Sequence, residues 1–281
     1  MKVIMSLLFF DMAFWFYLAT MILYIGYWII KKEWLGQAST VLAIISTFAI
    51  FMMLIFRTKE SGHAPFSNLY ESMSFFVWII SIAYLVIEFR YKIKVVGAFV
   101  MSIAFIAMLA TSMLPYRFQD IQPLNPALQS IWFELHVFSA FIGYAGFGLA
   151  LGMAVMYLIK ARFEESKTSH FLIDRLPPSA ILDELSYKSV AWGFVFFTMG
   201  ALILGAVWAN KAWGTYWSWD PKETWSLITW FVYAAYLHAR VTRGWRGKKA
   251  AYVAIFGFLS TVFLYWGVSF VLPGLHTYAS Q

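Results

Sequence analysis

Val95 to Leu114 reads V-V-G-A-F-V-M-S-I-A-F-I-A-M-L-A-T-S-M-L, twenty residues without a charge, preceded by Lys92 and Lys94 and followed by Pro115. A helix needs about 20 apolar residues to cross the hydrocarbon core of a bilayer. The same pattern recurs along the chain. Candidate spans fall at about 10–30, 36–56, 70–89, 95–114, 131–159, 189–209, 224–241 and 250–271. The expected fold is therefore an all-α polytopic membrane protein of about eight transmembrane helices in a single integral membrane domain, 1–281. The fifth span is long enough to tilt or to extend beyond the bilayer.

Composition agrees. Of 281 residues, 62% are hydrophobic and 12% charged, whereas soluble domains carry about a quarter charged residues. The formal net charge of +7 does not indicate nucleic acid, because the basic residues cluster between apolar runs as topology signals. Fifteen of the 21 Lys and Arg residues fall in one set of loops, at Lys31–Lys32, Arg90–Lys94, Lys160–Lys188 and Arg240–Lys249. The positive-inside rule puts that set in the cytoplasm. Both termini and the loops near 57–70, 115–130 and 210–224 are then expected to be extracytoplasmic. The segment from Met1 to Ile30 lacks a small-residue cleavage site and reads as a retained span. The chain has no cysteine, which excludes disulfides, thiolate ligands and a cysteine nucleophile of its own.

One outer loop is unusual. Trp213 to Trp225 reads W-G-T-Y-W-S-W-D-P-K-E-T-W, four tryptophans and a tyrosine among three charged residues. Pro221 suits the first turn of the seventh helix, Asp220 its N-cap, and Glu223 the capping-box partner. Capping leaves the rings unexplained. Two readings remain for Trp213, Tyr216, Trp217 and Trp219. They form an interfacial aromatic belt, or a stackable shelf for a large flat ligand such as a porphyrin, with Lys222 near its propionates.

Trp213 to Trp230 resembles the WWD signature of haem-handling proteins. The form W-G-x-Y-W-x-W-D-P-K-E is similar to the CcsA branch, also called ResC, of System II cytochrome c biogenesis. The CcmC and CcmF branches continue differently after the aspartate. Four further segments resemble the same family. They are S-G-H-A-P-F-S-N-L-Y-E-S (Ser61–Ser72), L-H-V-F-S-A-F-I-G-Y-A-G-F (Leu135–Phe147), Y-L-H-A-R (Tyr236–Arg240) and G-L-H-T-Y (Gly274–Tyr278). The first two spans match in hydropathy alone.

Histidine is the usual neutral nitrogen donor to haem iron. His136, at the outer end of the fifth span, and His276, past the eighth, share the expected depth of the tryptophan loop. Taken singly, His136 reads as a helix-end residue facing headgroups and His276 as a residue of a terminal tail. The resemblance implies that they are axial ligands flanking the WWD segment, where Trp213, Tyr216, Trp217, Trp219, Asp220 and Trp225 hold the ring. His238 follows Trp225 by thirteen residues, a rise of about 20 Å, which puts an ionisable group inside the bilayer. Its bland reading is an interhelical hydrogen bond. The resemblance implies that it ligates haem at an intramembrane uptake site whose second ligand comes from a CcsB-like (ResB-like) partner. His63 is assigned no ligand role, and His170 reads as solvated.

The resemblance therefore implies a protein that binds haem b as transported substrate and exports it across a bacterial inner (plasma) or thylakoid-type membrane. It presents the haem outside to the CxxCH motif of apocytochrome c. Its other expected partners are thiol-reducing proteins that act on apocytochrome c. It would be the haem-handling subunit of a holocytochrome c synthase, with no catalytic acid–base pair evident and Asp220 either chemical or only a cap. The rival readings are a haem transporter, or a HemX-like haem-binding assembly factor, without synthase activity of its own. The glycines Gly143, Gly146, Gly148 and Gly152 read as a close-packing face.

Overall fold

The computed structural model describes residues 5–272, and these are helical throughout their ordered elements, with no strand among them. They divide into two compact units, Met1–Leu124 with Arg162–Pro177, and Asn125–Ala161 with Pro178–Gln281.

The first unit contains α1 (Met5–Ile30), α2 (Glu33–Ser61), α3 (Leu69–Tyr91) and α4 (Gly97–Ser112), the last entered through a 3₁₀ turn at Lys94–Val96. The buried side of α1 is Ser6, Phe10, Ala13, Tyr17, Thr20, Tyr24 and Tyr27, alternating steps of four and three that keep one stripe inward. That stripe carries hydroxyls, which pair across helices. Tyr17 meets Ser81 at 2.8 Å, Thr20 meets Ser46 at 2.9 Å, and Tyr24 donates to Glu88 at 2.6 Å. Tyr84 and Thr40 also reach Glu88. Large apolar side chains face outward, among them Trp15, Ile22 and Phe48. Polar inside and apolar outside is the arrangement a lipid solvent demands. The helix α1 begins before the expected position 10 because Ser6, through its backbone amide and hydroxyl, binds Glu60 of α2.

At the α2 end of this unit Arg57 and Glu71 form an ion pair at 2.8 Å with side chains 1% exposed. Arg57 also donates to the carbonyls of Gln119 at 2.6 Å and Asp120 at 3.1 Å. The other Glu71 oxygen accepts from the amide and hydroxyl of Ser67. Asn68 caps α3 by accepting from the Glu71 amide at 3.0 Å. Asn68 and Glu71 thus order their loop, and every charge in it is offset by several hydrogen bonds, as burial requires.

The second unit holds α5 as far as Ala161 (α5, Ile131–Ser166), α6 (Ser179–Phe197), α7 (Gly205–Trp213), α8 (Pro221–Thr242), α9 (Lys248–Val262) and α10 (Val268–Val271). A π-helical stretch, Thr198–Leu204, joins α6 to α7, and a second, Phe263–Gly267, joins α9 to α10. The helix α6 starts ten residues before the expected span because its polar first turns are tied down. Arg240 of α8 binds Asp183 at 2.6 Å, and Asp183 also accepts from the Gly247 amide. Two of the α5 glycines, Gly143 and Gly146, pack closely on α6. A Cβ on Gly146 would lie 2.7 Å from the Gly193 Cα, and one on Gly143 would lie 2.8 Å from the Phe197 backbone nitrogen.

Among the described residues, seven helical stretches are long and apolar enough to cross a membrane, making this a multi-pass membrane protein. The eighth expected span is the helix α8, 22 residues long, which falls outside those seven because tryptophan, tyrosine and histidine dilute its apolar character.

Candidate functional site

The loop between α7 and α8 is built around Glu223. One of its oxygens, Oε2, accepts from the Ser218 amide at 2.7 Å, the Ser218 hydroxyl at 3.2 Å and the Asp220 amide at 3.3 Å. Asp220 in turn accepts from the Lys222 amide at 2.9 Å, completing the capping box with Pro221 in the first turn. Two amides flanking Trp219 converge on one carboxylate oxygen, and Trp219 between them takes φ of +61°. That is a costly conformation for a bulky side chain. Trp219 projects outward, 68% exposed, and Tyr216 nearby is 61% exposed. Trp217 meets Trp219 edge-on at 5.7 Å. Gly214, at φ of +81°, ends α7 and turns the chain into this loop.

Trp213 and His136 belong to one aromatic row. The His136 ring lies parallel to Trp208, centroids 5.7 Å apart, and Trp208 meets Trp213 edge-on at 5.9 Å. Trp208 itself is fixed by donating to the Ala127 carbonyl at 2.9 Å. His136 Nδ1 lies 2.8 Å from the Gly200 carbonyl oxygen. A carbonyl only accepts, so Nδ1 carries the proton. Trp225 packs on Phe263 of the second π-helical stretch, centroids 4.3 Å apart. Lys222 lies 6.0 Å from the Tyr265 ring, and burial pushes its pKa down to about 8 against a partial opposing effect of Asp220.

Among the expected ligands, His136 stands in the row that contains Trp213. His276 lies outside the described residues. His238 is on the exposed side of α8, in line with Ile228, Phe231 and Ala235. His63 binds the Ala64 carbonyl through Nδ1 at 2.9 Å, and His170 is exposed. Sequence reading missed Trp208, Gly200, Gly205, Phe263 and Tyr265.

The cytochrome c assembly protein family matches residues 66–276. The chain is 40% identical over 285 residues to "Cytochrome c biogenesis protein CcsA" of Guillardia theta, covering 93% of both chains. It is 38% identical over 280 residues to the protein of that name from Prochlorococcus marinus strain MIT 9303, covering 90% of this chain and 88% of that one. The solved structure of "Cytochrome c Heme Lyase CcmF" superposes with a TM-score of 0.66 at 16% identity, over 92% of this chain and 46% of that one, which shows a shared fold. Matched over most of its length by both family and relatives, this chain belongs to the cytochrome c assembly proteins, within their CcsA family.

Proposed function

We propose that this chain serves cytochrome c biogenesis by binding haem, exporting it across the membrane and presenting it outside for attachment to apocytochrome c. The observation that carries this reading is the outward display of Tyr216 and Trp219 on a loop pinned by Glu223. An interfacial belt needs ring types at a depth. It does not need a tryptophan held at positive φ by convergent amides. A preorganised shelf for a flat ligand does. The family and its relatives' names agree with the chemistry.

In this reading the shelf of Trp213, Tyr216, Trp217 and Trp219 holds the ring of haem b, with Asp220 and Trp225 fixing the helix below. His136 and His276 take the two faces of the iron. The apocytochrome offers a CxxCH segment kept reduced by thiol-reducing proteins. Each thiol adds across one vinyl group, sulfur to one carbon and hydrogen to the other, so no electron or leaving group is lost. The two nucleophiles come from the substrate, and the chain contributes positioning. His238 marks an inner uptake site. Its place on the exposed side of α8 supports completion by a helix of a CcsB-like partner, since an ionisable side chain is costly against lipid. In this reading the Trp213–Trp225 loop and both termini face the extracytoplasmic side, as the distribution of Lys and Arg supports.

The test is an absorption spectrum of the chain purified from haem-replete cells with its partner, compared with His136→Ala, His276→Ala and His238→Ala. Six-coordinate haem bands that weaken or shift in each variant are expected. Full haem content in His136→Ala would remove this residue from the ligand set. Absence of haem from the parent even with a partner would return the loop to the belt reading. Haem that is bound but never transferred to a CxxCH substrate would favour a transporter or assembly factor.

A further inference from the structure

The His136 ring is held by a defect in its neighbouring helix. The Gly200 carbonyl accepts from the amide of Gly205, five residues on, the π spacing. Its remaining lone pair faces His136 Nδ1 at 2.8 Å. In an α-helix that carbonyl would accept from residue 204. Here it is shared between the Gly205 amide and His136 Nδ1. Two glycines make the approach possible. A Cβ on Gly200 would meet the Ala140 backbone nitrogen at 2.3 Å, and one on Gly205 would meet His136 Nδ1 at 3.0 Å and Cε1 at 3.1 Å. Thr198, at the start of the same π stretch, accepts from Trp230 Nε1 at 2.9 Å, which ties the distorted turn to α8. π turns are rare and concentrate at functional sites.

We propose that the π-helical turn Thr198–Leu204 is a positioning device for haem: its Gly200 carbonyl fixes the tautomer and orientation of His136, assigning iron to Nε2 and raising the basicity of the imidazole. The inference rests on His136 being an axial ligand, as proposed above. Ligating histidines are oriented and tuned by a second hydrogen bond of this type. A more basic imidazole stabilises ferric over ferrous iron, so the Gly200 bond holds the haem potential down. A tie that merely joined two helices would have no such effect.

Gly205→Ala is the sensitive variant, because its methyl group presses on His136 by a few tenths of an ångström and leaves the backbone of both helices unaltered. Deletion of Ala201, which would close the π turn into an α-helix, is the stronger one. Gly26→Ala, where nothing lies within 4 Å of the added methyl, is the control. Each full-length chain, purified with its haem (iron protoporphyrin IX), is measured for haem affinity, reduction potential and the g values of the low-spin ferric form. Gly205→Ala is expected to bind haem roughly 10- to 100-fold more weakly, at a more positive potential and with g values of a less basic imidazole. Gly26→Ala should match the parent. Unchanged affinity, potential and g values in Gly205→Ala would overturn the positioning role while His136→Ala still loses haem. If His136→Ala itself keeps parental haem, the ligand reading fails first, and the two failures are distinguished. Should the deletion variant not fold, Gly205→Ala decides alone.

Discussion

Asp220 holds the first turn of α8 by accepting from the Lys222 amide, a task that asparagine performs as well as aspartate. Asp220→Ala should cost about 0.5–2 kcal/mol of stability, while Asp220→Asn should keep the cap and haem attachment and lose only the charge that partly offsets the buried Lys222 ammonium. Thermal unfolding in detergent and a thioether-forming assay measure the two. An Asn variant that is stable but cannot attach haem would make the carboxylate a chemical group. Lys222 gives a prediction in pH. Its folded pKa of about 8 lies below the ordinary 10.5 because burial disfavours the ammonium. Between those values the unfolded chain binds the extra proton, so stability rises with pH through that window. Below about pH 8 the desolvation cost is fully present. Lys222→Met should therefore raise the midpoint of unfolding at pH 7, with the gain shrinking towards pH 10. A gain that does not change with pH would show that Lys222 titrates normally. At this scale much was legible. Asp220, Pro221 and Glu223 announced a capped helix start, and His136 was singled out. The partner of His136 was not, because a backbone carbonyl carries no sequence signal until its helix is known to be distorted.

Hydropathy located every long helix, since apolar length is what a bilayer selects. It misjudged ends where polar turns are held by partners, as at Asp183 and Ser6. It could not see the π stretches at Thr198–Leu204 and Phe263–Gly267, because one extra residue per turn leaves composition unchanged. Close packing of Gly143 and Gly146 was legible in the sequence, but its severity was not. A Gly146 methyl would meet the Gly193 Cα at 2.7 Å and the Ser189 carbonyl oxygen at 2.9 Å. Backbone cannot rotate away as a side chain does, so α5 and α6 would have to separate. Gly146→Ala is expected to lose about 1–3 kcal/mol through overpacking. Gly26→Ala, in open space, should be neutral or gain up to about 1 kcal/mol from helix propensity. Unfolding midpoints of the two variants make the comparison, and equal effects would mean that the glycine face is not a packing contact.

At the scale of the whole chain, sidedness depends on α8. Its 22 residues span about 33 Å, enough for the hydrocarbon core. Yet among the described residues it is the one long helix not apolar enough to be counted among the candidate spans. If α8 crosses, Ser218 before it and Arg246 after it face opposite compartments. If it lies along the surface, they face the same one. The positive-inside pattern favours crossing, because Arg240, Arg243, Arg246, Lys248 and Lys249 follow α8 closely. A low-hydropathy helix can cross when its polar residues face protein, and Tyr233, Tyr236 and Arg240 are buried. The native chain has no cysteine, so single variants Ser218→Cys, Ser169→Cys and Arg246→Cys each give one reactive thiol at an exposed position. A membrane-impermeant maleimide applied to intact cells should label Ser218→Cys alone. Ser169→Cys and Arg246→Cys should react only after permeabilisation. Labelling of Ser218→Cys and Arg246→Cys from the same side would mean that α8 does not cross. His238 would then lie at an interface, and the inner haem site would lose its intramembrane character while the outer shelf of Tyr216 and Trp219 kept its own.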